Sequence, residues 1–234
     1  MTSIEGGAEV EGSFNALAAA LRAGTPGDDE YQAIAEWSVR LIPGCAHASV
    51  SVLRDGKFIT LGASDDVARR IDALEREVGE GPCLDAILEE RPQHDADITE
   101  HATWPELAKR ALAETPVRSM LAFRLINEGA KSGALNLFGD APNALAEESV
   151  AQGTIMSAFA SVAIAIAQER RRASNLEFAL DTNREIGKAV GLLMAEHNIG
   201  SEQAFEILRH ASQSMNRKVR ELAHEIVIRS EPAT

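Results

Sequence analysis

The chain has 234 residues, of which 45% are hydrophobic and 25% charged, and this balance excludes a disordered or fibrous protein. Its two cysteines, Cys45 and Cys83, are too few to staple a secreted scaffold, and residues 1–12 lack the basic and apolar start of a secretion signal. We find no apolar run of the roughly 18 residues that a membrane span requires, so we expect a cytoplasmic protein without a membrane partner.

The formal charge of −13 is unevenly distributed along the chain. From Glu169 to Thr234 ten basic residues balance ten acidic ones, so residues 1–168, with 13 basic and 26 acidic residues, carry the whole surplus. Nucleic acids are bound mainly through Lys and Arg. The neutral tail, with basic clusters at 170–172 and 217–220, is therefore the better candidate for such a partner.

Hydrophobic spacing predicts alternating helices and strands over the first part of the chain. The predicted helices are 13–23, 29–42, 66–77, a short one containing Cys83, and one opened by Trp104-Pro105. The predicted strands are 48–53 and 58–61, joined by Asp55-Gly56, and 117–126 and 133–138, joined by Asn127-Glu128-Gly129. Paired hairpins with flanking helices give an α+β domain built on an antiparallel sheet.

A helical pattern without proline runs from about Leu145 to His197. It predicts a long connecting helix that contains the domain boundary. We expect a domain at 13–168, a linker at 169–175 and a C-terminal module at 176–230. Residues 1–12 are expected to be a flexible terminus. A heptad can be written through Leu176, Asn183 and Val190. It is compatible with a coiled-coil dimer or with the inward face of a small bundle.

Two further helices complete the predicted C-terminal module. Ser201 is expected to cap a helix that ends near Ser214 and buries Phe205, and Asn216 is expected to cap a third helix. Together with the long helix they predict a three-helix bundle with one shared core.

The segments Arg184–Met194, Ser201–Arg209 and Ser212–Ala223 resemble the ANTAR family. They contain its Ala-x-Gly-x-Leu-Met and Asn-Arg-Lys-Val-Arg patterns in order and at family spacing. The resemblance implies an RNA-binding module that works as a homodimer and binds paired hexanucleotide-loop stems in nascent transcripts, preventing a terminator hairpin.

The candidate RNA-binding residues lie on these segments. Arg184 and Lys188 are one helical turn apart, and Gly191, which has no side chain, permits close approach of a helix or a nucleotide. Asn216, Arg217, Lys218 and Arg220 cluster at the predicted start of the third helix, where the helix dipole attracts phosphate. Arg209 belongs to the second segment. No aromatic residue for base stacking is evident near them.

The earlier part of the chain resembles the GAF domains that precede ANTAR modules in actinobacterial regulators. The resemblance rests on Gly79–Ala86, Trp104-Pro105, Val117–Leu121 and Gly133–Leu137. It implies a sensor fold that often has a small-molecule pocket, and the motifs do not define the effector. The six histidines are scattered without metal-ligand spacing, so we expect neither a metal nor a cofactor.

Two alternatives to a signal-responsive, non-enzymatic antitermination regulator stay open at this point. Cys83 follows a Gly-Pro break, and a helix N-terminus lowers a thiol pKa, so a GAF-type thiol redox enzyme or sensor is one alternative. A buried inert thiol is the simpler interpretation of this cysteine. The other alternative is a DNA-binding regulator whose last helices form a helix-turn-helix.

Overall fold

The computed structural model of the chain describes residue 19 and residues 29–54, 57–126 and 133–230. These described residues fall into two compact units that divide between Glu169 and Arg170. In chain order the elements are α1 (Asp29–Leu41), β1 (His47–Arg54), β2 (Lys57–Ala63), α2 (Asp66–Val78), α3 (Pro82–Glu89), β3 (Gln93–Asp95), α4 (Pro105–Glu114), β4 (Ser119–Leu125), β5 (Gly133–Gly139), α5 (Glu147–His197), α6 (Ser201–Met215) and α7 (Val219–Ser230). The predicted α+β fold is confirmed.

The first unit is built on a five-stranded antiparallel sheet in the order β2-β1-β5-β4-β3. The four predicted strands are confirmed, and the three-residue edge strand β3 was not predicted. The residues of both predicted hairpin turns, the helix predicted at 13–23 apart from residue 19, and the flexible terminus predicted at 1–12 lie outside the described residues.

Hydrophobic side chains cover both faces of the sheet. On one face Phe123 and Leu135 pack against α1 and the first part of α5. On the other face Met120 and Phe138 pack against α2 and α4. Successive residues of a strand point to opposite faces, which is why Met120 and Phe123 lie in different cores. The first unit therefore has three layers, with helices on both sides of the sheet.

The long helix α5 is unbroken over 51 residues and belongs to both units. It includes an 18-residue stretch with a mean hydropathy of 1.7, apolar enough by length and composition to cross a membrane. The expectation that no stretch meets this criterion is therefore wrong. One such helix is weak evidence for a membrane, because core helices of soluble proteins also qualify, and Met156, Ala160 and Ile164 pack in the core of the first unit.

The second unit has one core, shared by the second part of α5, α6 and α7. Leu193, Leu208 and Leu222 are buried there, with Ile186 and Val190 packed against them. The later positions of the heptad thus face the module's own core, as the bundle interpretation requires. Leu176, at its start, is 62% exposed.

Three local predictions for this unit are wrong. Phe205, expected in the core, is 41% exposed. Gly200 rather than Ser201 is the residue that precedes α6 as its cap, and no side chain contributes a capping hydrogen bond. Asn216 ends α6 in the left-handed conformation, with φ of 51°, and α7 begins only at Val219. Asn216 takes the conformation that suits the end of a helix.

Candidate nucleic-acid interface

Three of the candidate residues share one exposed face of α5. Arg184, Lys188 and Gly191 follow each other at four and three residues, the spacing that aligns side chains along a helix. Within the described part of the chain, no carboxylate pairs with Arg184, whereas the Lys188 ammonium lies 2.9 Å from an oxygen of Glu185. A Cβ added at Gly191 would meet nothing within 4 Å, so no neighbouring helix requires the glycine there.

A second group of candidates occupies the turn between α6 and α7. The Arg217 N–H donates to the Ser212 carbonyl at 3.0 Å, and the Ser212 hydroxyl donates back to the Arg217 carbonyl at 2.5 Å. The Lys218 carbonyl accepts from the backbone N–H of Glu221 at 2.9 Å, in the first turn of α7. These bonds fix the turn and leave the Asn216 and Lys218 side chains exposed.

Carboxylates of the same unit already pair with two of the candidate arginines. The Arg217 guanidinium lies 2.9 Å from Glu225, and that of Arg209 lies 2.6 Å from Glu206. Hydrogen bonding by Arg209 lowers the pKa of Glu206. Solvent screens ion pairs this exposed and leaves them weak, so a phosphate oxygen can replace the carboxylate.

An aromatic side chain does lie among the basic residues, which corrects the sequence prediction. The Arg220 guanidinium carbon is 4.3 Å from the centre of the Phe178 ring, a cation–π distance. Phe178 belongs to α5 and is 58% exposed. The prediction missed this contact because the two residues lie on different helices, far apart in the sequence. Base stacking on aromatic rings and on arginine planes is the usual basis of single-stranded RNA recognition.

Two contacts bring the candidates on α5 close to α7. Besides the Phe178–Arg220 pair, the ring of His224 lies 3.4 Å from Glu185, which also pairs with Lys188. Arg209 stands apart, since within the described residues its only ion pair is with Glu206 on the same helix. Seven of the eight predicted residues thus lie on α5, in the turn between α6 and α7, or in the first turn of α7.

The first unit contains the thiol that the redox alternative requires. Cys83 is the second residue of α3 and is 3% exposed. Burial, together with the carboxyl groups of Glu75 and Asp72, raises the pKa of Cys83. The reactive thiolate is therefore disfavoured, which argues against redox catalysis by Cys83. Among the described residues no group of His, Cys, Asp and Glu side chains could hold a metal ion.

Comparison with known families places both units. The model of the GAF domain matches residues 28–165, which is more than half of the chain. The chain belongs to the GAF domain family. The model of the ANTAR domain matches residues 174–227, so an ANTAR domain follows the GAF domain, as the sequence motifs predicted. Among curated protein sequences, none matches significantly.

Solved structures show the same fold at low sequence identity. The GAF domain from a phosphoenolpyruvate-protein phosphotransferase of Coxiella burnetii is 15% identical, with a TM-score of 0.51 over 70% of this chain and 96% of that one. The N-acylhomoserine lactone-dependent LuxR family transcription factor CepR2 of Burkholderia cenocepacia is 16% identical, with a TM-score of 0.52 over 71% and 99%. The phytochrome photosensory core module of Stigmatella aurantiaca is 10% identical, with a TM-score of 0.56 over 87% and 44%.

Proposed function

We propose that this chain is a cytoplasmic transcription antitermination regulator in which the GAF domain controls RNA binding by the ANTAR domain. The output is binding of paired hexanucleotide-loop stems in a nascent transcript, which keeps a terminator hairpin from forming. The role is regulatory and not enzymatic, in keeping with the two domain families and with the disfavoured Cys83 thiolate.

The observation that carries the proposal is the exposed Phe178 ring beneath the Arg220 guanidinium. A ring and a guanidinium plane can stack on an unpaired base, and the neighbouring Lys218, with no carboxylate partner among the described residues, can contact a phosphate. Arg184 can contribute a second phosphate contact from α5. We assign to Arg217, Lys188 and Arg209 contacts in which RNA phosphate replaces their present carboxylate partners.

The test is binding of the full-length protein to an RNA with two hexanucleotide-loop stems, measured by fluorescence anisotropy at two salt concentrations. Phe178→Ala removes the stacking surface, and we expect binding to weaken about tenfold or more, given stacking energies of about 1–3 kcal/mol per base. Lys218→Gln should weaken binding several-fold and reduce the slope of log affinity against log salt by about one.

Arg229→Gln is the matched control, because Arg229 is an exposed basic residue in the last turn of α7, at the opposite end of that helix from Lys218. It should leave affinity within about twofold. The proposed interface is wrong if Phe178→Ala and Lys218→Gln bind like this control. Equal competition by duplex DNA would favour a helix-turn-helix regulator instead. Readthrough of a terminator in a purified transcription reaction, lost in Phe178→Ala, separates antitermination from simple RNA binding.

We further propose that the working form is a homodimer associated through the first part of α5. Ile155, Val162 and Ile166 are 58%, 60% and 49% exposed and follow the spacing of one helix face. An apolar stripe of this kind on a soluble protein is typical of an association surface. Sedimentation equilibrium should give a dimer for the wild type and a monomer for Val162→Glu. A dimer unchanged by Val162→Glu would place the interface elsewhere.

A further inference from the structure

The GAF domain has an open pocket beside its edge strand β2, lined only by residues of this domain. Its volume is about 390 Å³, and it is lined by Phe58, Ile59, Thr60, Arg69 and Arg76. The three uncharged residues belong to β2 and the two arginines to α2. Small-molecule sites have volumes of about 300–1,000 Å³ and combine apolar walls with a few polar groups, so the pocket suits a small metabolite.

The two arginines in this pocket are not paired with carboxylates. Arg69 and Arg76 are seven residues apart on α2, and within the described residues neither forms an ion pair. Arg70 on the same helix differs, since its guanidinium lies 3.1 Å from Glu77 and 2.5 Å from Glu114. Residues 1–168 contain 26 acidic and only 13 basic side chains, and two of these basic side chains line this one cavity.

The pocket is connected to a buried polar network beneath the sheet. The Arg76 guanidinium donates to the Thr60 hydroxyl at 3.2 Å, and that hydroxyl donates to Asp72 at 2.6 Å. Asp72 is only 4% exposed. Its carboxyl group also accepts from Ser49 at 2.8 Å and from Ser51 at 2.9 Å on β1, and from Asn136 at 3.3 Å on β5.

We propose that this pocket binds a small organic anion, a carboxylate or phosphate that carries an apolar group. The arginine forks bind the anionic oxygens, and Phe58 and Ile59 contact the apolar group. An anion that engages Arg76 competes with Thr60 for the guanidinium and so acts on the network that joins α2 to three strands. The site would define the chemical class of the effector that the GAF domain senses. Its regulatory effect on RNA binding rests on the proposed function.

The experiment is titration calorimetry of the full-length protein with phenyl phosphate, with phenylacetate and with the neutral benzyl alcohol, at low ionic strength. We expect both anions to bind and benzyl alcohol to bind at least about tenfold more weakly, because charge-assisted hydrogen bonds to arginine provide most of the affinity. The two anions distinguish a phosphate site from a carboxylate site. Arg69→Gln and Arg76→Gln should each weaken the better anion several-fold, and the double variant about tenfold or more.

Arg70→Gln is the matched control, since it removes the same charge from the same helix outside the pocket lining. It should leave anion affinity within about twofold. The pocket assignment is overturned if neither anion binds, if benzyl alcohol binds as tightly, or if Arg70→Gln weakens binding as much as the double variant. Unfolding curves of the variants confirm that they fold.

Measuring RNA affinity with and without the tighter-binding anion separates the proposed anion pocket from the proposed RNA-binding function. Anion binding that changes RNA affinity in the wild type and not in Arg76→Gln supports the effector role. Loss of anion binding in the double variant, with RNA affinity unaffected by the anion, establishes the pocket and overturns its role as an effector site. Absence of RNA binding under all conditions would overturn the proposed function and leave the pocket assignment intact.

Discussion

The two units of this chain differ in which side chains they bury. The GAF unit covers both faces of a sheet and buries carboxyl groups such as those of Asp72 and Glu75. The ANTAR unit has one small core, and among its described residues no charged side chain is buried. Large apolar side chains, including Phe178 and Phe205, stay exposed on it. A small bundle has too little interior to bury them.

This difference predicts that pH changes the stability of the GAF unit more than that of the ANTAR unit. Burial raises the pKa of Glu75 from 4.5 to about 8, with Asp72 and Asp85 adding to the shift. Between pH 4.5 and about 8, Glu75 keeps its proton in the folded state and loses it in the unfolded state. The stability that the protonated Glu75 contributes is therefore fully present below pH 4.5 and is lost as the pH rises to about 8. Glu75→Gln removes this titration, while its amide oxygen can still accept from the Leu84 N–H.

We expect Glu75→Gln to gain on the order of 3 kcal/mol relative to wild type between pH 5 and pH 8. The chain's two tryptophans, Trp37 and Trp104, both lie in the GAF unit, so tryptophan fluorescence in urea reports on that unit. Glu196→Gln, an exposed change in the ANTAR unit, is the control and should not alter the pH dependence of this transition. Parallel pH profiles for wild type and Glu75→Gln would contradict the prediction.

A second test concerns the packing of α5 on the sheet. A Cβ added at Gly153 would lie 2.3 Å from the Phe123 ring, which is itself buried. Gly153→Ala must therefore displace the helix or the ring, and overpacking of this kind costs about 1–3 kcal/mol. The urea midpoint followed by tryptophan fluorescence should fall by a corresponding amount. An unchanged midpoint would show that α5 can shift on the sheet without cost.

A glycine-to-alanine substitution in the ANTAR unit should stabilise that unit, and this is the smallest of the expected effects. A Cβ at Gly187 would meet nothing within 4 Å, although Gly187 lies on the same helix. Alanine is a better helix former than glycine, so Gly187→Ala should stabilise this unit by about 0.5–1 kcal/mol. Circular dichroism at the helical band follows the transition. Destabilisation by Gly187→Ala would reveal a partner packed on this face in solution.

The sequence predicted the elements whose hydrophobic spacing is long and regular. The helices α1, α2 and α5 and the four long strands follow such patterns. The strand β3 is only Gln93–Asp95, and three polar residues carry no alternation to recognise. Its pairing with β4 is a long-range interaction that local spacing does not encode.

The candidate interface was predictable in its residue types and less so in its contacts. Motif spacing placed Arg184 and Lys218 on an exposed surface. It did not reveal that Arg217 pairs with Glu225 or that Phe178 lies against Arg220, because both contacts depend on how helices pack. Phe205 was assigned to the core from helical spacing alone, whereas the core of this unit is filled largely by smaller residues such as Ala189 and Ala204.

An irregularity in the register of β1 and β2 determines where the pocket meets the sheet. Ser51 pairs with Thr60 and Val50 with Gly62, so Leu61 is an extra residue in β2. In a regular strand, residues three apart face opposite sides. The extra residue lets both Thr60 and Ala63 face α2. Deleting Leu61 would restore regular pairing and turn either Thr60 or Ala63 away from α2, which would disconnect Arg76 from Asp72 or open the apolar layer.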